Sequence, residues 1–261
     1  MHKILFPEAY NDFVQSAATR LRIEKVCEPI LELCDLPKAS KMLSDGKVDA
    51  MVVGIDYSSR DVILSCRDVI GMAGGELEPG EKRTFSSLFV AEFPDGHKLI
   101  IGDGATCKNP TDIQLADIIE LIHDAANRIL DEEPLIAMLS FSTMGSGGSD
   151  PSMDKIANAM TLVRQRRPDI IVDGEMQLDA AVNPRIGMKK APESKVAGQA
   201  NVLITPDINS GNILYKSIEQ FGNAQLAGPI LLGFGKPVSD LSRGSTVDDI
   251  VFTTKCLEKL I

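Results

Sequence analysis

The chain has 261 residues, 44% hydrophobic and 25% charged: ordinary globular material, long enough for one large domain or two modest ones with cores of their own. A formal net charge of -10 argues against a sequence-independent grip on nucleic acid or an anionic membrane, so any anionic ligand must be held by a few local positive groups. Five cysteines (Cys27, Cys34, Cys66, Cys107, Cys256) form no CxxC pair, which suits neither a zinc site nor a disulfide framework and predicts reduced thiols.

The opening "MHKILFPEAYNDF" meets acidic residues and a proline too early for a secretory signal, and no apolar run reaches membrane-spanning length. A soluble cytoplasmic protein is expected. "HKILFP" predicts a short strand that runs into a helix over "EAYNDFVQSAATRLRI", where Phe13, Ala17 and Leu21 recur at helical spacing. The helical "LPKASKMLSDG" ends at Gly46, a C-cap residue, and "VDAMVVGID" follows as a buried strand. "TFSSLFVAEF" and "HKLIIGDG" are joined by Pro94-Asp95-Gly96 and predict a hairpin. Thr111 caps the helix "TDIQLADIIELIHDAANRIL", in which Ile113, Ala116, Ile119, Leu121 and Ile122 face a core. Strand, helix, strand, strand, helix and strand then succeed one another through "AGPILLGFG", and "TVDDIVFTTKCLEKLI" closes the chain as a helix. Such alternation predicts an α/β protein with mostly parallel sheets covered by helices.

The loops that break this rhythm carry the chemistry. "STMGSGGSDPS" (142–152) lies between a strand and a helix; its glycines let backbone approach a ligand, and the helix behind it offers N–H groups to a phosphate. It is neither a Walker loop nor a dinucleotide fingerprint, so a plain connection is the alternative. In "IVDGEMQLDAAVNP", Asp173, Glu175 and Asp179 have the chemistry for acid–base work or a divalent cation, or else they cap and solvate. "ITPDINSGN" places Asp207, Asn209, Gly211 and Asn212 at a strand end, where open α/β sheets bind ligands and where Asx-turns also cap helices. His2, His97 and His123 read as surface residues, which leaves a serine hydrolase without a base. In "SDLSRGSTVDDIV" (239–251), Thr246 and Asp249 have the spacing of a capping box.

Taken together, "VDAMVVG", "SSLFVAEFPDG", "MLSFSTMGSG", "RRPDIIVDGEMQLDAAV", "VAGQANVLITPDINSGNILYK" and "GPILLGFGKPVSDLSRGSTVDDIV" resemble the phosphotransacetylase (phosphate acetyltransferase) and phosphotransbutyrylase family. The resemblance covers nearly the whole chain. It implies two α/β domains with an interdomain cleft, similar to the isocitrate and isopropylmalate dehydrogenases: residues 1–107 with 236–261 as the first domain, shortened relative to the family, and 108–235 as the second. It also implies interconversion of acetyl-CoA and phosphate with CoA and acetyl phosphate by direct thiolate attack, with coenzyme A as a substrate, no permanently bound cofactor and no metal.

By the same resemblance Asp249 is the base, Arg243 steadies the developing oxyanion and the phosphate, and Ser242 donates a hydroxyl beside it. Ser142, Thr143, Gly145, Ser146 and Gly147 receive phosphate, with Asn209, Gly211 and Asn212 as further substrate-binding residues. The partners implied are acyl-CoA, phosphate and acyl phosphate, with no nucleic acid or membrane, in a homodimer. Intact "VSDLSRGSTVDDIV" favours an acetyl substrate, while "NILYKSIEQFGNAQLAG" leans toward the butyryl side. One departure stands out. Leu64, in "SSRDVIL", takes the place of a family arginine, with Arg60, Arg67 and Arg83 as neighbouring substitutes out of register. A non-catalytic homologue that binds acyl-CoA or phosphate is the competing class; a dehydrogenase is a third, on architecture alone.

Overall fold

In the computed structural model, which describes residues 1–74 and 83–261, strands and helices alternate through two compact units, Met1–Phe85 with Gln225–Ile261 and Ser86–Ala224. The first unit contains β1 (Lys3–Phe6), α1 (Asp12–Ile23), β2 (Glu28–Leu31), α2 (Leu36–Ser44), β3 (Ala50–Val53) and α3 (Ser59–Ser65), which runs into a π-helical turn, Cys66–Ile70. From the C-terminal part of the chain it takes β9 (Gln225–Leu232), β10 (Val238–Asp240) and α9 (Val247–Glu258). The second unit contains β4 (Ser86–Glu92), β5 (Lys98–Gly102), α4 (Asp112–Ile129), β6 (Ile136–Leu139) and α5 (Pro151–Arg166). It continues with β7 (Val172–Met176), α6 (Leu178–Val182), α7 (Pro184–Lys190), β8 (Val202–Ile204) and α8 (Ile208–Phe221).

Strand order in the first unit is β2-β1-β3-β10-β9, parallel from β2 to β10 and antiparallel between β10 and β9. All four residues of β3 are buried, as a central parallel strand requires, because helices cover both of its faces. In α1 the buried stripe is Val14, Ala17, Ala18 and Leu21, whereas Phe13 is exposed. Ala17 and Leu21 are buried as the spacing predicts; Phe13 is not, and Val14 and Ala18 complete the stripe instead. A strand in "EPILEL" was not expected; β2 is an edge strand whose four residues include a proline, too short and too mixed to show a pattern.

In the second unit the order is β4-β5-β8-β6-β7, with β4 antiparallel to β5 and the remaining pairs parallel. The predicted hairpin turns through Gly96 at φ +84, and Gly96 N donates to the Phe93 carbonyl at 2.8 Å. This hairpin was placed in the first domain by sequence. It groups with the second unit because Ile100, Ile101 and Gly102 register against Val202, Leu203 and Ile204 of β8. The boundary therefore falls at Phe85/Ser86 instead of after residue 107. At the other end β9 groups with the first unit through β10, which moves that boundary to Ala224/Gln225.

Thr111 caps α4 in a full capping box with Gln114, and the helix buries Leu115, Ala116, Ile118, Ile119 and Ile122. Ile113, expected in the core, is exposed. His123 is corrected in the opposite sense: it is buried, its ring near the Asn127 amide (3.0 Å) and the Asp124 carboxylate (3.3 Å). Among the described residues, no helix is long and apolar enough to cross a membrane.

Candidate functional site

In the first unit the predicted residues lie on the segment that leaves β10. Ser242, Arg243 and Gly244 are exposed, and Ser245 N donates to the Ser242 carbonyl at 2.9 Å, closing a turn. Arg243 makes no hydrogen bond or ion pair among the described residues. Six residues on, Asp249 is half-buried in the first turn of α9. Its Oδ2 accepts the Thr246 amide at 2.9 Å and the Thr246 hydroxyl at 2.8 Å, while Asp249 N donates to Thr246 Oγ1 at 3.2 Å. The capping box is therefore real, and it consumes one carboxylate oxygen only. Asp248 is spent differently, on an ion pair with Arg20 of α1.

The candidate substitutes for the missing arginine separate cleanly. Arg67 is paired with Asp68 at 2.7 Å and Arg83 donates to the Ala73 carbonyl at 2.7 Å. Arg60, in the first turn of α3, is exposed and makes no hydrogen bond or ion pair among the described residues. β3 and β10 pair in parallel, so the turns that follow them, carrying Arg60 and Arg243, leave the same end of the first unit's sheet. That end is where open parallel sheets bind ligands.

In the second unit the glycine loop is satisfied from within. Ser142, fully buried, donates to Glu175 Oε1 at 2.8 Å, and Gly145 N donates to the same oxygen at 2.7 Å. Gly147 N returns to Ser142 Oγ at 2.8 Å, and Thr143 N binds Ser146 Oγ at 3.0 Å. A carboxylate of the protein thus already occupies donors expected to serve a phosphate. The helix behind the loop shows no free first turn either: Asp150 caps α5, accepting Ser152 N at 2.8 Å, and Met153 N bonds the Asp150 carbonyl at 3.0 Å. The Ser152 hydroxyl and amide hold the Asp150 carboxyl below its ordinary range. The acidic trio is also dispersed, with Asp173 facing Arg164 at 3.6 Å and Asp179 paired with Lys190 at 3.0 Å.

At the strand ends of β5 and β8, Asp207 caps α8 through Ser210 N at 2.9 Å, Asn209 is exposed, and Asn212 Nδ2 donates to the Gly104 carbonyl at 3.3 Å. Gly211 is the buried residue of α8. A Cβ there would overlap the Asp103 carbonyl and stand 2.7 Å from Thr205 Oγ1, so glycine is what lets the helix approach β5. Gly211→Ala is expected to destabilise the protein by about 1–3 kcal/mol through overpacking against backbone, read as a lower denaturant midpoint.

Sequence reasoning passed over Asp103 and Lys155. Asp103 is buried and accepts the amides of Ala105, Thr106 and Cys107 at 3.0, 3.1 and 2.8 Å, with the hydroxyls of Ser87 and Thr106 completing its set. Lys155 donates to the Pro206 carbonyl at 2.8 Å and to Asn109 at 3.2 Å. The one available signal was the Gly-Asp-Gly after a strand. None of the five cysteines is in a disulfide, and burial raises four of the thiols: Cys66 up to about 12, Cys27 up to about 11, and Cys34 and Cys107 above the ordinary value. None of these four has the lowered pKa of a cysteine nucleophile.

Comparison with known proteins places this arrangement. The sequence profile described as phosphate acetyl/butaryl transferase matches residues 34–256. The chain belongs to that family. A phosphate acetyltransferase of Clostridium acetobutylicum is 43% identical over 218 residues, covering 82% of this chain and 63% of that protein. One of Borreliella burgdorferi is 44% identical over 227 residues, covering 85% and 64%. The chain therefore spans under two thirds of the length of these relatives. A phosphotransacetylase structure from Streptococcus pyogenes superposes with TM-score 0.85 at 32% identity, over 99% of this chain and 93% of that one. A branched-chain phosphotransacylase structure from Enterococcus faecalis, at 19% identity and TM-score 0.77 over 100% of both chains, shares the fold. Of the residues predicted for the first unit, Arg243 has no partner among the described residues, and Asp249 keeps one carboxylate oxygen outside its capping box.

Proposed function

We propose that this chain is a phosphate acyltransferase, with acetyl as its main acyl group, that interconverts acetyl-CoA and phosphate with CoA and acetyl phosphate. The observation that carries the reading is local to the first unit. Arg243 is exposed with no partner among the described residues, while Asp249, in the same segment, keeps Oδ1 outside its capping box. In the acetyl-CoA-forming direction the thiol of CoA passes its proton to Asp249, and the thiolate attacks the carbonyl carbon of acetyl phosphate. The carbon–oxygen bond to phosphate breaks, and phosphate leaves with that electron pair and takes up the proton held by Asp249, departing as hydrogen phosphate. Arg243 steadies the oxyanion and the departing phosphate, and Ser242 donates its hydroxyl. The raised thiols support a route with no acyl group parked on cysteine.

The reading gives phosphate binding to Ser142, Thr143, Gly145, Ser146 and Gly147, and further substrate contacts to Asn209, Gly211 and Asn212. For Ser142 and Gly145 the phosphate must take donors from Glu175. No permanent cofactor is required. A reducing cytoplasm agrees with five cysteines outside any disulfide. A homodimer agrees with α8, where Ile213 and Phe221 are 67% and 89% exposed on a helix that buries only Gly211.

Formation of thioester from CoA and acetyl, propionyl or butyryl phosphate, followed by absorbance, tests the activity; acetyl is expected to turn over fastest, and no turnover with any of them contradicts the reading. The arginine assignment has its own test. Arg60→Ala is expected to raise KM for CoA or acetyl phosphate about tenfold, the worth of one charged hydrogen bond, while Arg67→Ala changes neither. Unchanged KM for both substrates in Arg60→Ala removes Arg60 from the site.

A further inference from the structure

Asp240 ends β10 two residues before Ser242, and it is 1% exposed. Ser239 and Asp240 register beside Val52 and Val53, and Leu241 N donates to the Val53 carbonyl at 2.6 Å, so Gly54 and Leu241 leave the sheet side by side. Gly54 has φ +119, and Asp240 Oδ1 fills the space that a Cβ would take, with Leu241 N 2.6 Å from the same point. Glu8, 2% exposed, closes on the same turn, accepting the amides of Gly54, Ile55 and Asp56 at 3.0, 3.2 and 2.6 Å.

Two buried carboxyl groups therefore meet at one glycine, and their bonding is unequal. Glu8 has three backbone donors. The Ser59 hydroxyl of α3 faces Asp240, whose Oδ1 has no hydrogen-bond partner among the described residues. An ionised carboxylate sealed from water with an unbonded oxygen is costly, and a second carboxyl on the same turn adds repulsion; the neutral acid avoids both.

We propose that Asp240 is a positioning residue for Ser242 and Arg243: as a neutral carboxylic acid it stays packed dry against Gly54 beneath the segment that carries them, and on ionising it draws water into that packing and loosens it. The groups that face it are the Ser59 hydroxyl from α3, Glu8 from the turn after β1, and the Cys66 thiol from the turn after α3. Glu8 in turn faces Asp56, Tyr10 and Tyr57. None of the groups acting on Asp240 is a cation. Burial, opposed by the Ser59 hydroxyl and reinforced by Glu8, pushes the Asp240 pKa up to about 7.

The sign follows from proton counting. Unfolded aspartate titrates near ~3.9, so between there and about 7 the native state holds a proton that the unfolded state has lost. Stability from this group therefore falls as pH rises through that window and is level above it.

Asp240→Asn keeps the shape and an acceptor for Ser59 but cannot ionise. The experiment measures thermal midpoint and acyl transfer from about pH 5 to about pH 9 for the parent, Asp240→Asn and Glu8→Gln. The parent midpoint is expected to fall more steeply with pH up to neutrality than that of Asp240→Asn. The ratio of variant to parent kcat/KM should rise about fivefold to tenfold between about pH 6 and about pH 8 as the parent ionises. In Glu8→Gln the transition should move to lower pH, with one neighbouring charge gone. The rate arm rests on the acyl-transfer reading; the thermal arm does not, and decides the proposal even if no donor turns over. Parent and Asp240→Asn curves that superimpose in both arms overturn it, and an Asp240→Asn that fails to fold leaves the decision to Glu8→Gln, where an unmoved transition overturns it.

Discussion

Asp249→Asn is expected to lower kcat for thioester formation by about 10²–10⁴-fold, the usual worth of a positioned general base, with thermal stability lowered by no more than about 1 kcal/mol. The two effects separate because the carboxylate has two jobs on two oxygens. Oδ2 accepts from the Thr246 amide and hydroxyl in the capping box, and an asparagine carbonyl can take over that acceptance. The negative charge that the first turn of α9 favours, and the capacity to take a thiol proton, are both lost. Steady-state rates with CoA and acetyl phosphate, beside a melting curve, read both numbers. A variant that melts several degrees lower yet keeps its kcat would make Asp249 a cap and nothing more.

Arg243→Ala is expected to cost about 10²–10³-fold in kcat/KM, the scale for removing one fixed donor from a developing oxyanion. The melting temperature should stay within error of the parent, because the exposed guanidinium has no protein partner to lose among the described residues. Arg243→Lys should recover only part of the loss, since an ammonium restores the charge and not the planar fork. Equal kcat/KM in parent and Arg243→Ala would remove this residue from the chemistry.

What could be read in the residues was whatever depends on near neighbours in sequence. The all-apolar "AMVV" of β3, the Pro94-Asp95-Gly96 turn and the Thr111 and Thr246 caps are local patterns, and each is present as expected. β2 and β10 were missed because four and three residues show no period. The grouping of the β4–β5 hairpin depends on β8, about a hundred residues further on, so no local signal announces it.

The candidate site divides in the same way. The segment with Ser242, Arg243 and Asp249 is contiguous and was legible as a block. The tie from Ser142 and Gly145 to Glu175 spans some thirty residues, and the meeting of Glu8, Gly54 and Asp240 spans most of the chain. Glu8 binds backbone amides, and every residue has one, so its partners leave no mark on composition.

The proposed reaction transfers an acyl group between CoA and phosphate by direct attack. Exchange of radiolabelled phosphate into acetyl phosphate, measured with and without CoA, tests it most directly. The expected result is rapid exchange when CoA is present and none when it is absent, because label can enter only through acetyl-CoA. Exchange without CoA would establish an acyl-enzyme and contradict the mechanism, and no exchange with CoA would contradict the activity itself.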